Sequence, residues 1–153
     1  MRILLLVITL TLTCPAASAE TIAGLASVID GNTIQVNGEV VRILDIDAPE
    51  RDQFCSQAEG DVTWKCGEQA AFALIDVVGA QVVSCETVKL DRYKRHLAQC
   101  MAGETDLGEW MAVEGWAVPY DDDCRCETIR AASEYAELNH LGLWRRPFVL
   151  PWE

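Results

Sequence analysis

The chain lacks an apolar run long enough to cross a membrane. Ile3–Leu12 is the leading candidate, and it falls well short of the roughly 20 residues that a spanning helix needs. Basic residues are also scarce: 12 Lys and Arg stand against 24 Asp and Glu, for a net charge of −12. Neutralisation of phosphates by Lys and Arg drives nucleic-acid affinity, so this balance argues against a high-affinity nucleic-acid binder. It leaves an enzyme open, because exposed charges more than about 8 Å apart are largely screened at physiological salt. Zinc-type cysteine spacing is missing too. The close pair Cys124 and Cys126 is C-x-C, and neither His96 nor His140 stands near another candidate ligand, whereas zinc sites favour paired C-x₂₋₄-C motifs. The acidic run Asp121–Asp123 lacks the D-x-D-x-D-G spacing of an EF-hand and reads as a solvated loop. No internal repeat or low-complexity linker is visible.

What is present begins with a targeting pattern. Arg2 supplies a positive start, Ile3–Leu12 an apolar stretch, and Ala17-Ser18-Ala19 a small-residue cleavage site, the arrangement of a secretory signal peptide. Residues 1–19 are therefore expected to be removed, leaving residues 20–153 as a single domain without a membrane anchor, secreted or periplasmic and expected to be a monomer. Export to an oxidising compartment explains the cysteines. Setting Cys14 aside, Cys55, Cys66, Cys85, Cys100, Cys124 and Cys126 form an even set whose connectivity sequence leaves open. The preferred pairs are Cys55–Cys66, a short loop worth about 3 kcal/mol on chain-entropy grounds, and Cys85–Cys100, on neighbouring strand candidates. Cys124 and Cys126 are left to each other, in a small strained ring, or to a partner molecule.

The stretch VIDGNTIQVNGEVVRILDIDAPE at 28–50 holds two turn signals between apolar segments. Asp30-Gly31 and Asn37-Gly38 are strong hairpin dipeptides because both tolerate positive φ. They predict a meander over 22–29, 33–36 and 39–46, which Pro49 ends. Ala70, Ala71, Leu74, Ile75 and Val78 recur at helical spacing within 64–78, and Gly79 is placed to stop that helix. Two more strands follow at 81–89 and 95–101. Asp106 caps a short helix with Glu109 three residues on, whose buried side Trp110, Met111 and Val113 would supply. A last helix over about 128–140 halts at Gly142, and the tail LWRRPFVLPWE is expected to pack back on the domain. The fold class is α+β: a five-stranded OB-type β-barrel with about three packing helices.

Several charged residues sit in unusual places. Arg42 lies inside an apolar strand, Asp47 and Glu50 flank an Ala-Pro turn, and Arg95 opens a later strand after Asp91-Arg92-Tyr93-Lys94. Taken singly, each suits a solvated surface. In this order, with VIDGNT at 28–33, VRILDIDAPE at 41–50, DRYKR at 91–95 and GLW at 142–144, the chain resembles the thermonuclease family, also called staphylococcal-nuclease-like, from about residue 22 to Trp144. Small signal-bearing members often carry cysteines placed like Cys55, Cys66, Cys85 and Cys100, which supports the preferred pairing.

The resemblance implies a Ca²⁺-dependent phosphodiesterase that hydrolyses DNA and RNA to 3′-phosphate products. Glu50 would be the general base, and Arg42 and Arg95 would grip the phosphoryl oxygens, a role that suits the fixed fork of guanidinium. The metal would rest on Asp47, the backbone carbonyl of Ala48 and the residue at position 32, with Asp30 acting through water. Arg92 and Tyr93 would contact substrate. Two positions depart from the family pattern. Ala48 replaces a threonine, which spares a carbonyl ligand, and Asn32 replaces an aspartate. Asparagine brings no charge, and Ca²⁺ affinity depends on ligand charge count, so weaker metal binding and slower turnover are expected. Asn32 also suits the turn it occupies. The acidic run after Tyr120 replaces aromatic residues of the family and predicts a poor grip on single strands. The alternative reading is a catalytically weak or inactive OB-fold binding module.

Overall fold

Alternating apolar residues early in the chain build three antiparallel strands. In the computed structural model, which describes residues 20–56, 63–120 and 126–145, these are β1 (Glu20–Val28), β2 (Thr33–Val36) and β3 (Glu39–Ile43). Residues 1–19, expected to be a signal segment, residues 57–62, the acidic run 121–125 with Cys124, and the tail from residue 146 lie outside the described residues. The Asn37-Gly38 turn has the expected left-handed geometry, with φ of 51° and 87°. The Asp30-Gly31 turn differs from expectation. Neither residue has positive φ; the chain makes a wider loop in which the N–H groups of Ile29 and Asp30 both donate to the Thr33 carbonyl. Glycine serves packing there, because a Cβ on Gly31 would lie 2.7 Å from the Ala48 Cβ and 2.9 Å from the Ala70 Cβ.

The third expected strand is broken. Asp45 adopts a φ of 62°, so β3 stops at Ile43 and a two-residue strand, β4 (Ile46–Asp47), turns away. Helix α1 (Cys66–Val78) follows and ends at Gly79, whose N–H donates to the Ile75 carbonyl. Ala70, Ala71, Leu74 and Val78 are buried as the spacing predicts, whereas Ile75 is 39% exposed. The apolar stripe is thus narrower than the sequence suggests, and Ile75 lies on its solvent edge.

Strands β5 (Val82–Leu90) and β6 (His96–Ala102) pair antiparallel, with Cys85 opposite Cys100. Both preferred disulfides, Cys55–Cys66 and Cys85–Cys100, are formed. Cys126 is also disulfide-bonded. The sheet order β3-β2-β1-β5-β6 closes by a parallel β3–β6 pairing, which makes the five-stranded mixed barrel. A short β7 (Thr105–Asp106) leads into α2 (Leu107–Val113), where the Asp106 carboxylate accepts the Glu109 N–H as a cap. Next, β8 (Val118–Pro119) pairs with β4, and α3 (Glu127–Leu138) precedes a 3₁₀ turn at Gly142–Arg145.

The core fills the barrel and the space beneath the helices. Ile34, Val36, Val41 and Ile43 point inward from β2 and β3 and meet Leu74 of α1 with Leu107 and Met111 of α2. Leu143 packs separately against the Cys55–Cys66 disulfide, Trp64 and Trp116. Among the described residues no helix is long and apolar enough to cross a membrane.

Candidate active site

The parallel closure of the barrel decides where the charges meet. Val41 pairs with His96 and Arg42 with Leu97, so Arg95, one step before the ladder, comes to the same outer seam as Arg42. Side chains alternate along each strand, which puts both arginines on one face. They line a cleft of about 710 Å³ together with Glu50, Arg92, Tyr93 and Tyr120.

Arg42 is held from two sides. Its Nη2 pairs with Asp47 Oδ1, and its Nη1 donates to Asn32 Oδ1 at 3.3 Å. The Asn32 side chain completes a triangle by donating from Nδ2 to Asp47 Oδ1 at 2.7 Å. Thr33 Oγ1 donates to Asn32 Oδ1 at 3.0 Å, and the Asn32 backbone N–H donates to Asp30 Oδ1 at 2.9 Å. Asn32 and Thr33 are each only 3% exposed. The guanidinium lies over the Tyr120 ring, 5.4 Å from its centroid. These contacts set its plane while leaving further N–H groups for a ligand, since guanidinium carries more donors than the two engaged.

Arg95 is held by its own turn. The Asp91 carboxylate accepts the backbone N–H of Tyr93 at 2.8 Å, that of Arg95 at 2.9 Å, and Arg95 Nε at 2.7 Å. Burial pushes the Asp91 carboxyl upward, but these hydrogen bonds and the Arg95 charge outweigh it and hold the group below its usual range. The bond to Asp91 uses Nε, so among the described residues the terminal amino groups of Arg95 remain for a ligand in the cleft. Tyr93 lies under both Arg95 and Arg92, at 5.4 and 4.8 Å from ring centroid to guanidinium.

Glu50 stands on the exposed loop after β4. Its pKa is raised, first by partial burial, then by the Asp30 and Asp47 charges; Arg42 opposes the rise and Asp52 adds to it. A carboxylate destabilised in this way holds its proton more firmly and is a better base when ionised.

As a divalent-cation site the cluster is poorly supplied. Asn32 turns its amide nitrogen, not its oxygen, toward Asp47, and that oxygen already accepts from Thr33 and Arg42. Asp47 meets the Arg42 charge directly. Among the described residues no group of three or more His, Cys, Asp or Glu is clustered for a metal. The Asp47 and Asp30 carboxylates and the Ala48 carbonyl remain, below the charge count that gives tight Ca²⁺ sites their affinity. The residues present do not fit a tight Ca²⁺ centre.

Two oriented guanidiniums beside a carboxylate of raised pKa can, as chemistry, meet a phosphoryl group and take a proton. The sequence model of the staphylococcal nuclease homologue family matches residues 40–146. The chain belongs to this family. A curated relative, the succinoglycan biosynthesis protein ExoI of Rhizobium meliloti (strain 1021), is 37% identical over 138 residues, spanning 89% of this chain and 71% of the relative. The family match includes Arg42, Asp47, Glu50 and Arg95 and starts after Asn32. Family membership makes the domain nuclease-type.

Sequence reasoning singled out Arg92 and Tyr93, and both line the cleft. It missed Tyr120 and Lys89 as lining residues. Tyr120 arrives through the β4–β8 pairing and donates its backbone N–H to the Asp45 carbonyl at 3.0 Å, a long-range contact with no local sequence signal. A smaller cavity of about 280 Å³ at Trp64 and Trp116 is lined by none of the candidate site residues.

Proposed function

We propose that the cleft hydrolyses phosphodiester bonds in DNA and RNA, in an exported domain of residues 20–153 whose disulfides suit an oxidising compartment. Glu50 removes a proton from a water molecule that attacks phosphorus. The bond to the 5′-oxygen breaks, that oxygen takes a proton from solvent, and Glu50 returns its proton to solvent, leaving a 3′-phosphate and a 5′-hydroxyl. Arg42 and Arg95 compensate the charge that builds on the phosphoryl oxygens, the kind of preorganised stabilisation that carries most of such barriers. Tyr93 and Arg92 hold the neighbouring nucleotide. The observation that carries this reading is the meeting of Arg42, Arg95 and Glu50 on one cleft.

The resemblance assigns Ca²⁺ to Asp47, the Ala48 carbonyl, Asn32 and, through water, Asp30. With Asn32 satisfied by Asp47, Thr33 and Arg42, we propose that any such ion is held weakly and that the arginines carry most of the charge compensation. The test is cleavage of single-stranded DNA by the mature protein, with Ca²⁺ and with chelator, beside Glu50→Ala. Cleavage that disappears in Glu50→Ala is expected; equal cleavage by the variant would sink the reading.

A second reading is favoured by the same Asn32 network and by a relative named for a biosynthetic role. In it, the barrel binds a phosphate-bearing ligand through Arg42 and Arg95 and cleaves it slowly or not at all. Ligand binding abolished by Arg95→Ala, without turnover of any nucleic acid, would distinguish it.

A further inference from the structure

The loop that carries Glu50 has no regular secondary structure and is exposed, yet its backbone is tied at several points. The Glu50 N–H donates to Gln53 Oε1 at 3.1 Å, and the Gln53 N–H donates back to the Glu50 carbonyl at 2.8 Å. Gln53 is in turn fastened to the start of α1: its carbonyl accepts the Gly67 N–H at 3.3 Å. The helix has no side-chain cap at Lys65, so the Gln53 carbonyl satisfies one of the otherwise orphaned N–H groups of its first turn.

The Cys55–Cys66 disulfide holds these parts together. Cys66 is the first residue of α1, and its Sγ lies 3.5 Å from the Gln53 carbonyl oxygen. As a disulfide sulfur it carries no hydrogen, so this is packing contact. Cys55 stands two residues after Gln53 and pairs with Trp64 through two backbone hydrogen bonds of 2.9 Å. The approach is close enough to require glycine in the helix. A Cβ on Gly67 would lie 1.7 Å from the Glu50 carbonyl oxygen.

From this geometry we infer that Gln53, seated on α1 by the Cys55–Cys66 disulfide, is the positioning residue for Glu50. Gln53 acts on the reaction through the backbone of Glu50 and touches no substrate. The inference rests on Glu50 being the base, and it goes further by making the disulfide part of the catalytic geometry. A second disulfide, Cys85–Cys100, lies across β5 and β6 and makes no such link among the described residues. The two close loops of similar sequence separation, 11 and 15 residues, so their removal costs comparable chain entropy. They form a matched pair for separating stability from catalysis.

The experiment measures kcat, KM and melting temperature across pH for the wild type, Gln53→Ala, Gln53→Glu, Glu50→Ala and the double variants C55S/C66S and C85S/C100S, on single-stranded DNA. Gln53→Ala is expected to lower kcat by about tenfold to a hundredfold with KM unchanged, the scale of a misplacement near 1 Å. Gln53→Glu keeps an oxygen for the Glu50 N–H, so it restores most of kcat. Its added charge disfavours ionisation of Glu50 and moves the acidic limb of the profile to higher pH. Both double variants lose melting temperature to a similar degree, but below both midpoints only C55S/C66S loses kcat. Wild-type kcat in Gln53→Ala and in C55S/C66S, with Glu50→Ala inactive, overturns the positioning inference alone. An active Glu50→Ala overturns the reading of Glu50 on which it stands.

Discussion

The amide of Asn32 donates to the carboxylate of Asp47 at 2.7 Å, joining two positions that the family resemblance assigns to a metal. An aspartate at position 32 would put two carboxylates at that separation, a pair that is stable only with a proton or a cation between them. Asn32 removes the repulsion and lets the cluster close on itself, with Arg42 as its positive charge.

Asn32→Asp should therefore convert a site that holds a cation weakly into one that requires it. In chelator the variant is expected to be less stable than wild type by about 1–3 kcal/mol, the cost of an uncompensated buried polar group. Millimolar Ca²⁺ should restore its melting temperature while moving that of the wild type little. Calorimetric titration with Ca²⁺ gives the same answer without reference to activity. Equal Ca²⁺ responses in the two proteins would refute the account of Asn32.

Loss of either arginine should be severe. Arg42→Ala and Arg95→Ala are each expected to lower kcat by about 10²–10³, the range for one preorganised donor. Arg95→Lys should recover little. Lysine has no Nε to engage Asp91 while presenting a planar fork to phosphate. Steady-state rates on a defined oligonucleotide check both statements.

The raised pKa of Glu50 makes opposite predictions for rate and stability. Activity needs the ionised form, so the acidic limb of the profile should lie above the ordinary glutamate value of 4.5. Asp52 contributes to the rise, and Asp52→Asn should move that limb to lower pH. For stability, the folded protein holds this proton more firmly than the unfolded chain. Ionising Glu50 therefore costs stability as pH rises through the interval between the two pKa values. Glu50→Gln should abolish cleavage and raise the melting temperature at neutral pH, with no gain at acidic pH.

Asp91 behaves in the reverse sense. Its pKa is lower in the folded protein, so its contribution is present above the unfolded value and fades as pH falls through the folded one. Asp91→Asn should flatten the acid-side loss of melting temperature. The same variant weakens the anchor of Arg95, so KM for an oligonucleotide should rise, which a Michaelis analysis at neutral pH would detect.

Much of the fold was legible because its signals are local. Asn37-Gly38 adopts the positive φ values expected of it, Asp106 caps α2, and Gly79 ends α1. Where a signal depended on distant neighbours it misled. Asp30-Gly31 reads as a tight turn, but its glycine is there because Ala48 and Ala70 pack against it. Ile75 fits the apolar stripe of α1, yet the barrel does not reach that edge of the helix. The breaking of the third strand at Asp45 likewise has no local mark, since pairing of β4 with β8 takes the chain away from the barrel.

By itself the sequence determined the closed-barrel class and the residue types of the candidate site, and left the cysteine pairing a preference that the coordinates decided. Turn propensity, apolar periodicity and motif order are properties of neighbouring residues, so they survive without coordinates. The tertiary structure alone decided which groups face one another. The parallel β3–β6 seam brings Arg95 to Arg42, the β4–β8 pairing delivers Tyr120, and the first turn of α1 seats Gln53 beneath Glu50. The orientation of the Asn32 amide belongs to the same class. Its direction follows from the hydrogen-bonding needs of Thr33, Arg42 and Asp47, which are satisfied together only after the barrel has closed.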